Sequence, residues 1–120
     1  METRRLVWQE LNYMQALDVV RYADTLTAAA ADEDGPYLAV MHFQLEMQGV
    51  QPILHMTAGE GRLLRCLRTN PHMTLLFRRD TCTGAETVLA EGTAEVVAAG
   101  NGYRIRMPVE EMAARNWFME

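Results

Sequence analysis

The stretch from His55 to Pro71, HMTAGEGRLLRCLRTNP, decides how the rest of the chain is interpreted. A strand-like segment ends at Thr57, and residues 60–69 are predicted to form a short helix whose leucines share one face. The dipeptide Asn70-Pro71 ends this helix, because a residue that precedes proline is pushed out of the helical conformation. The stretch is therefore a strand, a turn and a helix.

The residues of this turn are small, hydroxylated or cationic, a combination that suits a phosphate. The Thr57 hydroxyl can donate to a phosphate oxygen, and Gly59 and Gly61 let backbone N–H groups come close to a ligand. The free N–H groups at the start of the helix favour an anion at the same place. Arg62 adds a planar fork of donors. Alternatively, Glu60 is the partner of the helix dipole and the segment is a turn only.

Upstream of this stretch the sequence indicates one helix and three strands. Residues 8–23 have apolar side chains at helical spacing, which predicts an amphipathic helix with a buried face of Leu11, Met14, Leu17, Val20 and Ala23. An Asp-Gly pair between two apolar runs signals a hairpin. The predicted strands cover residues 25–31, 36–46 and 50–57, with Gly49 in a turn.

Downstream, the chain returns to strands. Predicted elements are a buried strand over 72–79, a turn over 80–85, a long strand over 86–99, a break at 100–102 and a short strand over 103–107. Gly92 lies inside the long strand and predicts a bulge or bend. Pro108 suits the first turn of a helix, where its missing N–H is not needed, so a last helix is predicted over 109–118.

This order predicts a mainly β fold with helices. Strands joined mostly by hairpins, with one helix inserted between them, indicate an antiparallel, Greek-key-like barrel or a strongly curved sheet. A chain of 120 residues suits a single domain over 1–120. Within it we expect the N-terminal helix at about 8–23, the barrel at about 25–98 and a short C-terminal tail at 103–120.

Composition narrows the classes of partner. The net charge is −5 and all eleven basic residues are arginine, without a basic block, which argues against nucleic-acid binding and leaves a small anionic ligand. No apolar run is long enough to span a membrane. Cys66 and Cys82, without an export signal, predict free thiols and a cytoplasmic protein. The scattered cysteines and histidines predict no metal site.

Several pieces together resemble the FMN-binding split-barrel family typified by pyridoxamine 5'-phosphate oxidase, and especially its short relatives that include the nitroimidazole-reductase group. Thr57 and Arg62 have the five-residue spacing of a threonine and an arginine in that family. Asn70-Pro71 closes the helix where the family closes it, and GTAEVV over 92–97 matches a later strand. The resemblance covers about residues 10–98.

The resemblance implies a homodimer with FMN at each subunit junction, and a small-molecule substrate. It assigns cofactor-binding roles to Val40, Met41, His42, Thr57, Ala58, Gly61, Arg62 and Thr87. Among these, Thr57 and Arg62 would hold the phosphate, backbone groups of Val40 to His42 would face the isoalloxazine ring, and Thr87 would reach the flavin. His42 is the catalytic candidate, because its side chain is the titratable one on the ring-facing strand. Since side chains alternate along a strand, His42 could instead point away.

Two departures from the family pattern leave the function open. Leu63 stands where a lysine is frequent, so Arg65 would have to compensate for a missing charge, and Met56 replaces an aromatic residue. The first hypothesis is an FMN-dependent oxidoreductase that passes electrons from a reduced nicotinamide to a small acceptor. The alternative is a non-catalytic barrel that holds flavin, haem or another phosphorylated ligand. The third hypothesis is a relative that uses deazaflavin.

Overall fold

The computed structural model describes residues 4–120. Within this range the chain forms nine strands and two helices: β1 Leu6–Glu10, α1 Tyr13–Tyr22, β2 Thr25–Asp32, β3 Gly35–His42, β4 Gln44–Gln48, β5 Gln51–Ala58, α2 Arg62–Thr69, β6 His72–Asp80, β7 Gly84–Thr93, β8 Glu95–Ala99 and β9 Gly102–Met119. The predicted fold class, mainly antiparallel strands with an N-terminal and an inserted helix, is confirmed.

The strands form one antiparallel sheet that curves without closing. Its order is β3-β2-β6-β7-β9-β5-β4, and β1 and β8 pair with further parts of β9. The chain passes from β3, at one edge, to β4, at the other, through Phe43. The sheet is therefore open between its edge strands β3 and β4, and the free edge of β3 faces the end of β5 across this gap.

The C-terminal region corrects the sequence-based prediction. The helix predicted at 109–118 is wrong, and the strand predicted at 103–107 is confirmed but does not end there, because β9 is one strand of 18 residues. Glu, Met, Ala and Arg favour a helix locally, but pairing with β1, β5, β7 and β8 overrides that propensity. Residues 103–120 are thus the strand that joins both parts of the barrel, not a short tail outside it.

A bulge explains why the alternation along β9 was hidden in the sequence. Glu91 pairs with Glu111 but Gly92 pairs with Val109, which leaves Glu110 as the extra residue. Before the bulge the buried residues are the odd-numbered Ile105, Met107 and Val109, and after it the buried residue is the even-numbered Ala114. The bulge predicted at Gly92 is confirmed. A Cβ there would lie 2.3 Å from the Pro108 carbonyl oxygen, so the two backbones approach closely because this residue is glycine.

The N-terminal helix is shorter than predicted. Residues 8–23 do not form one helix, because Leu6–Glu10 is a strand paired with the end of β9, where Trp8 lies opposite Trp117. Asn12 then caps α1 in a capping box with Gln15, which fixes the start of the helix at Tyr13. The buried face of α1 consists of Ala16, Leu17, Val19 and Val20.

Two predicted long strands are each divided. The strand predicted over 36–46 breaks at Phe43, where the chain crosses from one sheet edge to the other. The strand predicted over 86–99 breaks at Ala94, whose N–H donates to the Pro71 carbonyl oxygen at 2.8 Å. Within residues 4–120, neither helix has the length and apolar character needed to cross a membrane.

Helix α2 is fixed on the inner face of the sheet by its apolar side. Leu64 and Cys66 are fully buried, and Leu63 and Leu67 nearly so. Phe77 and Met73 of β6 belong to the same core. This packing holds the start of α2 beside the β2–β3 hairpin and the end of β5, where the site described next is formed.

Candidate functional site

The turn between β5 and α2 presents unpartnered backbone donors. Gly61 is the N-cap of α2 and makes no side-chain capping hydrogen bond. The carboxylate of Glu60 accepts from Arg68 at 3.0 and 3.2 Å and from the Tyr103 hydroxyl at 2.6 Å, not from the first N–H groups of α2. The interpretation of Glu60 as the partner of the helix dipole therefore finds no support in this geometry. The start of α2 remains able to bind an anion.

Arg68 and Tyr103, the two partners of Glu60, fix the turn to the rest of the barrel. The Arg68 guanidinium lies 5.2 Å from the centre of the Tyr103 ring, over its face. Hydrogen bonds from Arg68, and then from Tyr103, hold the pKa of Glu60 below its ordinary value. Glu60 is thus ionised and neutralised by Arg68, so it adds little repulsion toward an anion at the turn.

Beside this turn lies a cavity of about 410 Å³ in the gap between β3 and β5. Its lining brings together seven of the eight residues to which the resemblance assigned cofactor binding: Val40, Met41, His42, Thr57, Ala58, Gly61 and Arg62. We call this cavity, lined also by Tyr37 and Leu63, the first chamber. Residues from the free edge of β3 thus face residues from the β5–α2 turn.

Arg62 occupies one end of the first chamber. Its Nη2 lies 3.4 Å from Oδ1 of Asp32 and 3.3 Å from the Gly35 carbonyl oxygen, and its guanidinium lies 5.6 Å from the centre of the Tyr37 ring. Two-thirds of its side chain is buried. The hydrogen-bond distances are long, so Arg62 is oriented toward the hairpin without a tight ion pair.

Asp32 is the acidic partner of Arg62, and the sequence analysis did not identify it. Burial opposes its ionisation, but hydrogen bonds from the Asp34 N–H, the Cys66 thiol and the Arg62 guanidinium outweigh burial and lower its pKa. Burial, followed by the proximity of Asp32, raises the pKa of the Cys66 thiol. Asp32 is therefore a carboxylate and Cys66 a neutral thiol. An incoming phosphate would compete with Asp32 for Arg62.

A second chamber of about 650 Å³ continues from the first. Its lining consists of His42, Phe43, Gln44, Leu45, Glu46, His55, Met56, Thr57 and Arg104. His42 and Thr57 line both chambers, which makes them one cleft. Nδ1 of His42 lies 3.3 Å from the Asp24 carbonyl oxygen, and Nε2 of His55 lies 2.8 Å from Oε1 of Glu46.

Sequence reasoning missed Arg104. This residue lies on β9 directly opposite Thr57, so only the strand register brings it to the cleft. Arg65, expected to replace the missing lysine charge, is exposed on α2 and does not line either chamber. Leu63 is 7% exposed. The second cation of the cleft is therefore Arg104.

Thr87 stands apart from the other assigned residues. It lies on β7, and its hydroxyl accepts a hydrogen bond from Nε1 of Trp117 at 3.0 Å. Neither chamber includes it in its lining. A single copy of residues 4–120 thus gathers the phosphate and ring candidates in one cleft and leaves Thr87 outside it.

Comparison with known proteins relates this chain to others by structure. No family model matches the sequence, and no curated protein does. A proposed 5-nitroimidazole antibiotic resistance protein from Bacteroides thetaiotaomicron superposes with a TM-score of 0.81 at 16% identity, over 99% of this chain and 94% of that one. An FAD-binding protein from Mesorhizobium loti gives 0.79 at 13% identity, over 91% and 97%. The haem storage protein HutZ from Vibrio cholerae gives 0.65 at 14% identity, over 88% and 92%.

These similarities define the class of fold. The chain has the split-barrel fold that it shares with proposed pyridoxamine 5'-phosphate oxidases. The resemblance inferred from Thr57, Arg62 and Asn70-Pro71 is confirmed at the level of fold. The cleft also has donors that fit a phosphate group: uncapped N–H groups of α2, a hydroxyl and a guanidinium.

Proposed function

We propose that this protein binds flavin, specifically FMN, in the cleft and works as an oxidoreductase that passes electrons from a reduced nicotinamide to a small acceptor. The observation that supports it best is the uncapped start of α2, with Thr57 and Arg62 beside it, at one end of a cleft along the free edge of β3. Flavin-binding proteins among the structures of the same fold support the same conclusion.

In this proposal the phosphate binds at the start of α2. N–H groups that follow Gly61 donate to it, together with the Thr57 hydroxyl. Arg62 exchanges its long contacts with Asp32 and the Gly35 carbonyl for charge-assisted bonds to the phosphate. Because the guanidinium is already held beside the chamber, little side-chain freedom is lost when the ligand binds.

The ring would lie along β3. On an edge strand every second residue directs its backbone N–H and C=O away from the neighbouring strand, and the segment from Val40 to His42, which borders the chamber, includes such free groups. Bound flavin supplies the hydride and electron chemistry. With the proton on Nδ1 toward the Asp24 carbonyl, His42 leaves Nε2 as the nitrogen that exchanges a proton with a reacting molecule.

A second copy of the chain would complete the site. The outer face of β3, β6 and β7 exposes Leu38, Val40, Leu76 and Leu89, and Val40 also lines the first chamber. A partner on this face would therefore cover the opening of the cleft. Such exposed apolar patches mark interaction surfaces.

The charges that flank Leu89 suit a twofold axis. On one side along the strands, Glu91 lies opposite Glu111, and on the other side Arg78 and Arg115 flank Thr87. A twofold rotation about the region of Leu89 would place the acidic end of one copy on the basic end of the other. An isologous interface requires this self-complementarity.

Replacing Arg62 with alanine tests the proposed function. We expect R62A to lower flavin affinity roughly 10- to 100-fold, because charge-assisted hydrogen bonds are lost. Arg65→Ala is the matched control, since Arg65 lies on the same helix outside the cleft. Affinity is measured by the quenching of flavin fluorescence, and folding by thermal unfolding. Equal affinity in R62A, R65A and the unsubstituted protein would contradict the phosphate site.

A haem-holding barrel is the second candidate. His42 and His55 both line the second chamber, and imidazole is a common axial ligand of haem iron. HutZ, which is described as a haem storage protein, has a similar fold. A Soret band that persists after haem is added and the protein desalted would favour this candidate. The absorbance of oxidised flavin, retained in the same experiment with FMN, would favour the first.

A further inference from the structure

We propose that the second chamber binds the carboxylate of a small organic acid, with Arg104 as the residue that determines this specificity. The inference rests on the proposed function, because a molecule in this chamber would be the acceptor that lies beside the flavin. It names the class of substrate, which the fold alone leaves open. Three observations support it.

The first observation is the state of the Arg104 guanidinium. Six arginines of the described chain pair with carboxylates: Arg5 with Glu120, Arg62 with Asp32, Arg68 with Glu60, Arg78 with Asp80, Arg79 with Glu86 and Arg106 with Glu95. Arg4, Arg21, Arg65 and Arg115 do not pair with a carboxylate within residues 4–120, and none of them lines the second chamber. Within residues 4–120, Arg104 has no such partner, although it lines a chamber. A guanidinium in a concave site, without a carboxylate of its own, attracts an anionic ligand.

The second observation concerns the other charges of the chamber. Among the residues that line it, all of them in the described part of the chain, Glu46 is the sole carboxylate. Its Oε1 lies 2.8 Å from Nε2 of His55, so His55 engages it. Glu46 is therefore held by His55, and the Arg104 guanidinium is left without an ion pair. A guanidinium without an ion pair can bind the carboxylate of a ligand.

The third observation is the apolar part of the lining. Phe43, Leu45 and Met56 contribute carbon surface to the same chamber, which suits an organic body attached to the acid. His42 joins this chamber to the edge strand where the flavin ring is proposed to lie. An acid held at Arg104 would therefore extend toward the ring.

Two ligands with the same body separate charge recognition from apolar binding. We would titrate FMN-loaded protein with para-nitrobenzoate and with para-nitrobenzamide by calorimetry. We expect the benzoate to bind more tightly than the amide by roughly 10- to 100-fold, the range of a charge-assisted hydrogen-bonded pair. Arg104→Gln should abolish the preference. Arg106→Gln is the matched control, since Arg106 faces the same side of β9 but pairs with Glu95.

Flavin retention, read from the visible spectrum of every variant, distinguishes the possible failures. A preference for the benzoate in the unsubstituted protein and R106Q, but not in R104Q, supports the inference. Retained flavin without any preference overturns it while the proposed function stands. Loss of flavin in R104Q overturns it as well, because Arg104 would then belong to the cofactor phosphate. If the unsubstituted protein binds no flavin, the proposed function fails and this inference fails with it.

Discussion

Arg62 and Asp32 show how single residues set the charge of the cleft. The guanidinium contacts a carboxylate and a carbonyl beside the uncapped start of α2, so its pairing would set how strongly the proposed site attracts a phosphate. The sequence revealed Thr57 and Arg62 because both flank one local turn. It did not reveal Asp32 or Arg104, because a hairpin and a strand register bring these residues to the cleft from distant parts of the chain.

Glu60 gives a pH-dependent prediction at the same scale. Its pKa in the folded protein lies below the ordinary value of 4.5, so its bonds stabilise the fold above that pH and are lost as pH falls through the folded pKa. We expect the difference in Tm between the unsubstituted protein and Glu60→Gln to be largest at neutral pH and to vanish in strong acid. Glu33→Gln, at an exposed hairpin position, should show no such trend. A Tm difference that stays constant with pH would contradict this role.

Local signals predicted some elements well and failed for others. Helix α2 was predicted over residues 60–69 because its leucines share one face and Asn70-Pro71 ends it within the sequence itself; the helix begins at Arg62. Strand β1 and the second half of β9 were missed because the evidence for them is non-local. Trp8 lies in a strand only because Trp117 pairs with it, and the bulge at Glu110 hides the alternation that would identify β9.

Substitution of Gly92 tests the pairing of β7 with β9, because the bulge between these strands depends on this glycine. We expect Gly92→Ala to destabilise the protein by roughly 1–3 kcal/mol, the cost of overpacking, since a Cβ would lie 2.3 Å from the Pro108 carbonyl oxygen. Gly59→Ala is the control, because nothing lies within 4 Å of a Cβ there. Chemical denaturation measures both variants. Equal stability of G92A and the unsubstituted protein would show that the backbones are not held together at this point.

At the scale of the whole molecule, the split in the barrel accounts for the cleft. Because the sheet ends at β3 and β4, the chain leaves an edge strand beside the start of α2. The fold class could be predicted from the order of the elements. The size and lining of the two chambers could not be predicted from the sequence, because they depend on how β3, β5 and β9 come together in space.

The proposed dimer gives a prediction at this scale. Leu89→Glu would put a charge beside Glu91 and Glu111 in the apolar face. We expect the unsubstituted protein to have the mass of two chains in light scattering, and L89E the mass of one. Val50→Glu, a substitution at an exposed turn residue, should leave the dimer intact. A dimeric L89E, or a monomeric unsubstituted protein, would contradict the proposed interface.

Flavin binding in the cleft is tested most directly by measuring how much flavin the purified, unsubstituted protein retains. FMN is added in excess, unbound FMN is removed by desalting, and the visible spectrum is recorded. We expect an equimolar amount of flavin to stay with the protein and to be reduced on addition of a reduced nicotinamide. A folded protein that comes through this treatment colourless would contradict it.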